Sequence, residues 1–358
     1  MSIDAIQEAR RQTEICNACR YCEGFCSVFP ALTRQKAFAD GDISHLANLC
    51  HNCRGCYYSC QYTEPHEFAL NFPAALAEVR QESWERLAWP QPLARRFHES
   101  GVALAVVLVA ALAVIFALIQ MLPPASGKGF YAYLAHGALV AVFTPAFLLP
   151  LLSVAVSLRR YWQETGGTRL QLRDVIGGLR AAANLKNLNG GQGQGCNFEY
   201  EDRYSDTRRW LHQAVMYGFL LCFASTSSGT ILHYVMDIPA PYGFFSLPKL
   251  FGVPGGLLLT IGAIGLAVLK IKADPKLGAV RVWGGEMAFI LLLGATGATG
   301  LALYAATGTV GVPLLLAIHL GSVLALFLLL PFSKMVHGFY RLSALIVEYQ
   351  KTRASRIE

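Results

Sequence analysis

Residues 101–124 read Gly-Val-Ala-Leu-Ala-Val-Val-Leu-Val-Ala-Ala-Leu-Ala-Val-Ile-Phe-Ala-Leu-Ile-Gln-Met-Leu-Pro-Pro, without one charged side chain. About 20 apolar residues in a helix cross a hydrocarbon core of ~30 Å, so this stretch places at least part of the chain in a membrane. Further uncharged stretches cover 130–158, 210–236, 250–269 and 287–333. The last is long enough for two crossings, with a turn at Gly308-Thr309-Val310-Gly311-Val312-Pro313 where Gly and Pro break the helical pattern. Six spans follow, at about 101–122, 131–157, 210–236, 250–271, 286–306 and 312–335, within a membrane region 99–350. The composition agrees: 54% hydrophobic and 15% charged, against roughly a quarter charged in soluble domains.

The remaining charges predict an orientation. Residues 1–98 hold ten Lys/Arg and eleven Asp/Glu, so the formal net charge of +7 belongs to the later part. Those charges lie between apolar runs rather than in one patch, which speaks against nucleic-acid binding. The opening Met-Ser-Ile-Asp-Ala-Ile-Gln-Glu-Ala-Arg-Arg has no apolar signal segment, so the N-terminus is expected in the cytoplasm. Six spans then leave Lys128 and Lys249 outside and the other eighteen Lys/Arg beyond residue 99 inside, including those of a tail at 351–358. That is a strong positive-inside bias. The expected location is a bacterial inner membrane, with both termini cytoplasmic. The inner loop 159–209 contains Asn189-Gly190-Gly191-Gln192-Gly193-Gln194-Gly195-Cys196. Lacking a Lys-Ser/Thr ending and a preceding strand, it reads as a flexible turn rather than a phosphate loop.

Eight of the ten cysteines fall before residue 61. Cys16-x2-Cys19-x2-Cys22-x3-Cys26 is followed by Cys50-x2-Cys53-x2-Cys56-x3-Cys60, and both reproduce the bacterial ferredoxin spacing in which the fourth thiolate of each run serves the other cluster. Cys16, Cys19, Cys22 and Cys60 are therefore expected to hold one [4Fe–4S] cluster, and Cys50, Cys53, Cys56 and Cys26 a second. Structural zinc also uses Cys-x2-Cys pairs, but it gives no reason for triplets with a fourth ligand at x3. Ser27 and Gln61 stand where the ferredoxin run has Pro. With eight thiolates for eight positions, His45, His51 and His66 read as solvated loop histidines. The fold class expected is mainly α, with a ferredoxin-like or α-helical two-cluster module over 1–98 and a six-helix bundle after it.

Ionisable side chains inside spans are expensive and mark function. His212 and His233 lie on the third span, His319 and His337 on or just beyond the sixth, and His136 near the outer end of the second. At 1.5 Å per residue, each of the first two pairs is separated by roughly 30 Å, nearly the bilayer. Eighteen helical steps return His337 to the face of His319, a phase that a kink at Pro331 would soften. Because the third and sixth spans run oppositely, His212 matches His337 in depth near the inner surface, and His233 matches His319 near the outer. One or two bis-histidine haem b sites are expected, with His136 as reserve ligand for the outer one. Interfacial or helix-packing histidines are the alternative. Cys222 reads as a packing residue.

Pro331 to His337 resembles the end of the haem-bearing helix in membrane subunits of respiratory nitrate reductase and heterodisulfide reductase. A closer resemblance is to the tricarballylate-utilisation protein B family, also called citrate-utilisation protein B. It is carried by both cysteine quartets, Gly195-Cys196-Asn197, Arg208-Arg209-Trp210-Leu211-His212, Gly218 to Ala224, Ala240-Pro241-Tyr242, Ser246-Leu247-Pro248, Ala317 to Gly321 and His337-Gly338-Phe339-Tyr340-Arg341. The resemblance implies an electron conduit that reoxidises a cytoplasmic FAD-dependent tricarballylate dehydrogenase and passes electrons through iron–sulfur clusters and haem to membrane quinone. No Gly-x-Gly-x-x-Gly follows a strand, so no FAD or NAD site is expected in this chain. The quinone site is not located by the sequence. Two rival expectations remain: a conduit running from quinol to a cytoplasmic reductase, and a transporter or receptor with a regulatory cluster domain.

Overall fold

Apolar runs, capping residues and helix breakers divide the chain into thirteen α-helices in the computed structural model, which describes residues 4–122, 129–190, 193–199 and 202–355. No strand occurs among the described residues, only an isolated bridge between Cys196 and Ser205. Lys128 and parts of the Gly-rich tract and of the tail lie outside the described residues.

The N-terminal module consists of α1 (Ala5–Cys19), α2 (Val28–Thr33), α3 (Asp40–Leu49), α4 (Gly55–Tyr58) and α5 (Phe72–Leu87). Asp4 caps α1 by accepting the Ile6 N–H, and Asn71 caps α5 by accepting that of Ala74, satisfying amides that a helix start leaves unpaired. The module is thus α-helical rather than β-rich among the described residues.

Among the described residues six helices are long and apolar enough to cross a membrane, and the chain is a multi-pass membrane protein. They are α6 (Gln91–Ile119), α7 (His136–Glu164), α9 (Thr207–Tyr234), α10 (Leu247–Lys272), α11 (Trp283–Ala305) and α12 (Val312–Leu329). Non-helical torsions at Ser100 break α6 just before its apolar part. In hydrocarbon no hydrophobic force draws helices together, so small residues that permit close backbone approach hold the contacts. A Cβ at Gly218 of α9 would stand 2.5 Å from the Leu259 amide of α10, and one at Gly321 of α12 would stand 2.9 Å from the Ala113 amide of α6.

Two further helices tie the module to the bundle. α8 (Leu172–Ala183) packs on α13 (Val336–Ala354), with Asp174 paired to Arg353 at 2.5 Å. The module core of Leu32, Ile43, Leu46, Leu76 and Trp84 continues into Tyr161 of α7 and Tyr340 of α13, whose rings meet at 5.1 Å. Glu348 of α13 accepts from Arg34 and lies 3.3 Å from His45, and Arg86 reaches Glu164 at 2.6 Å. One continuous core and these ion pairs fix the module against one end of the bundle.

That junction corrects two sequence readings. His45 is buried against Glu348, and His51 is largely enclosed, with Nδ1 2.7 Å from the Leu49 carbonyl; neither is a solvated loop histidine. Both are covered by helices far along the chain, which local sequence does not reveal. The sixth span also ends earlier than expected. α12 stops at Leu329, a single 3-10 turn runs from Leu330 to Phe332, and His337 belongs to α13. Pro331 supplies no amide hydrogen to a continuing helix, so the continuous phase linking His319 to His337 does not exist.

Candidate redox site

The two cysteine runs cross over. Cys16, Cys19, Cys22 and Cys60 face one cavity of about 210 Å³; at roughly 30 Å³ per water, that is space for a group of many atoms. Cys26, Cys50, Cys53 and Cys56 line a second, tighter cavity of about 20 Å³. Cys56, Phe29 and Phe72 border both cavities, so the two sites are neighbours. Among the described residues no three His, Cys, Asp or Glu side chains converge as they would around a single metal ion. Thiolates at the corners of a cubane cluster stand farther apart than ligands of one zinc.

Local backbone geometry repeats between the runs. Cys19-Arg20-Tyr21-Cys22 and Cys53-Arg54-Gly55-Cys56 each place their arginine in the left-handed region, at φ 57° and 67°, turning the chain so that successive thiols point the same way. Backbone amides of Asn52 and Tyr62 donate to Cys50 Sγ and Cys60 Sγ at 3.4 Å, contacts of the kind that tune cluster potentials. Burial, then the neighbouring thiols, pushes Cys16 and Cys22 up to about 12. Burial likewise raises Cys53 to about 12 and Cys26 and Cys56 well above the usual thiol value. Thiols raised in this way become thiolates together only when a cation compensates them, so the donor set fits a positively charged iron core.

The second run faces the bundle. Arg341 of α13 donates to the Cys50 carbonyl at 2.9 Å, and Arg208 of α9 donates to that of Asn52 at 2.8 Å. Arg80 also donates to Cys50 O, at 3.0 Å, and the neighbouring loop docks through the Asn197 amide on Cys53 O at 2.8 Å. Between those arginine contacts sits His51, held well below its ordinary titration range by burial and by Arg341 and Arg208. Burial and Arg80 bring the Arg341 guanidinium down to about 9.

His212 and His337 come together. Their ring centroids are 5.7 Å apart and nearly perpendicular, at 84°. That interval would leave room for one metal ion bound to a nitrogen of each ring at about 2 Å. His337 Nδ1 lies 2.5 Å from the Lys334 carbonyl, an arrangement that fixes the tautomer and leaves Nε2 free as a ligand. His212 Nδ1 is buried without a hydrogen-bond partner. These two residues would suit holding a haem iron between them.

The opposite end is arranged differently. His233 packs against His136 at 4.4 Å between centroids, closer than two ligands of one iron, and His136 Nε2 lies 2.8 Å from the Tyr234 hydroxyl. His319 is engaged instead on α11, with Nδ1 3.1 Å from Thr299 Oγ1. Since Thr299 donates to Ala295 O at 2.7 Å, it accepts from His319, which also meets the Thr296 backbone. The structure therefore brings His233 to His136 rather than to His319, because α9 lies beside α10 while His319 turns toward α11. Sequence reasoning missed His51, Arg80 and Thr299. Only the i, i+4 spacing of Arg208 with His212 and of His337 with Arg341 offered a signal for the arginines.

A family model described as Citrate utilization protein B matches residues 98–358, and one described as Citrate utilization protein B Fer4-like domain matches residues 9–85. A curated Escherichia coli relative, "Citrate utilization protein B", is 42% identical over 346 residues, which span 95% of this chain and 90% of the relative. No solved structure matches the chain.

Proposed function

Because the chain belongs to the citrate utilization protein B family, we propose that it is the membrane electron-transfer component of a citrate or tricarballylate utilisation system. It takes electrons from a cytoplasmic FAD-dependent tricarballylate dehydrogenase and delivers them to quinone in a bacterial inner membrane, with the module on the cytoplasmic side. The observation that carries this reading is the contiguity of two four-thiol sites with a facing histidine pair, joined by Arg208 and Arg341.

Cys16, Cys19, Cys22 and Cys60 hold one [4Fe–4S] cluster; Cys50, Cys53, Cys56 and Cys26 hold the second; His212 and His337 hold a haem b. Bound there, these groups supply one-electron carriers between a two-electron flavin and a two-electron quinone. The chain supplies the spacing: Phe29 and Phe72 separate the thiol sets, and Cys50-His51-Asn52 abuts the helices bearing His337 and His212. Arg20, Arg54 and the amides of Asn52 and Tyr62 shape the thiol loops. The module is the docking face for the flavoprotein, being the part that extends from the bundle.

Anaerobically purified protein mixed with the reduced dehydrogenase tests this. The expected result is an EPR signal of reduced clusters and a low-spin haem b band, both reversed on adding a quinone analogue. A preparation lacking iron, sulfide and haem, or one whose reduced centres ignore quinone, contradicts the proposal.

A further inference from the structure

The surroundings of the His212–His337 pair carry more positive charge than the chain itself balances. Arg208 lies one helical turn before His212 and Arg341 one turn after His337, so each arginine shares a face with its histidine. Lys334 also stands close by, but it is already paired with Glu286 at 2.6 Å. Glu286 is shared further with Lys270. Among the described residues Arg208 and Arg341 have no carboxylate partner, and Arg341 Nε is buried with no hydrogen-bond partner. Arg341 spends one N–H on the Cys50 carbonyl, and Arg208 spends one on the Asn52 carbonyl and a hydrogen bond on Cys196 while lying 4.0 Å over the Phe198 ring, so donors of each five-donor fork remain, fewer on Arg208 than on Arg341. Buried guanidinium groups in native structures are paired with an anion, and the geometry of two forks flanking a bis-imidazole site suits two carboxylates.

We infer that Arg341 and Arg208 hold the two propionate carboxylates of the haem bound between His337 and His212. The same two arginines thereby clamp the second cluster's loop with one set of donors and the haem edge with the other. This rests on the haem assignment above. Retained propionate charge beside two guanidiniums also raises the haem's readiness to accept an electron, relative to a site without them.

The full chain, produced without haem in detergent, is titrated with haem b and with its dimethyl ester, whose propionates carry no charge. In the unaltered chain the ester is expected to bind about 10- to 100-fold more weakly, the loss of charge-assisted hydrogen bonds. In Arg341→Gln the free-acid haem weakens by a similar factor and esterification costs little more, while Arg341→Lys recovers part of the loss. Optical redox titration of Arg341→Gln and of Arg208→Gln, the second variant guarding against a folding failure of the first, is expected to show the haem midpoint shifted downward with the low-spin band kept. Additive losses in the variant and ester, or an Arg341 variant that moves only the cluster's EPR midpoint, overturn the inference while leaving the haem reading intact. An unaltered chain that binds neither haem nor ester overturns both.

Discussion

α9 carries a histidine near each end, and the two ends are built on different principles. At His212 the facing ring comes from α13 at 5.7 Å, the cysteine module covers the site, and Arg208 and Arg341 connect it to the Cys50–Asn52 loop. At His233 the neighbouring ring is His136 at 4.4 Å, and Tyr131 and Tyr234 complete a group that bonds to itself. The first arrangement leaves an interval between its rings beside positively charged side chains; the second has closed its interval, and there His136 bonds to Tyr234 while His233 Nδ1 stays buried without a partner. Depth in the membrane alone therefore does not decide how an intramembrane histidine is arranged. Ring spacing, tautomer-fixing contacts and nearby charge distinguish the two.

The largest effect is expected at the cysteine common to both cavities. Cys56→Ser removes one ligand of the second cluster and perturbs the wall of the first, so iron and acid-labile sulfide fall from about eight to about four or fewer per chain. A variant retaining the full complement breaks the assignment of Cys56.

His337→Ala and His136→Phe set the two ends of α9 directly against each other. If His337 holds haem as proposed, the first is expected to abolish the low-spin haem band at the module end while keeping iron–sulfur content. The second keeps that band. If His136→Phe abolishes it and His337→Ala does not, the ends have been assigned the wrong way round.

Glu286→Gln sharpens the comparison at the module end without touching a ligand. Lys270 and Lys334 both depend on that carboxylate, and stranding a buried charge costs about 3–5 kcal/mol. A lower thermal unfolding midpoint in detergent is expected, with the spectra of surviving protein unchanged.

The smallest effect is at the module's outer lock. Burial raises the Glu348 carboxyl, but the hydrogen bond from His45 and the charge of Arg34 outweigh it and hold the group below its ordinary value. A depressed carboxylate stabilises the fold fully above its unfolded pKa of about 4.3, and that contribution is lost as pH falls through the lower folded value. Glu348→Gln should therefore reduce stability by about 1–3 kcal/mol near neutral pH and flatten the acid side of the unfolding profile. An unchanged acid limb would count against the lock.

How much of this was legible in the sequence depends on distance along the chain. The spans were readable because hydropathy is a local property, and the grouping of the cysteines around two cavities was readable from their close spacing, apart from the exchange of Cys26 and Cys60. The depth match of His212 with His337 was legible from helix arithmetic, although the continuous helix assumed for it is broken after Leu329. His51 was not legible, since its enclosure depends on Arg341 reaching Cys50 across 291 positions and Arg208 reaching Asn52 across 156. Nor was the turn of His319 toward Thr299, which follows from α11 packing on α12 and not from any periodicity within α12.

The most direct test of the central claim is stopped-flow reduction of the full chain by its flavoprotein, following the clusters and the haem b band in the unaltered protein and in His337→Ala. The account predicts that clusters reduce first and haem second in the unaltered protein, and that the variant's clusters still reduce but quinone no longer reoxidises them. Quinone reduction at an undiminished rate in the variant would contradict it.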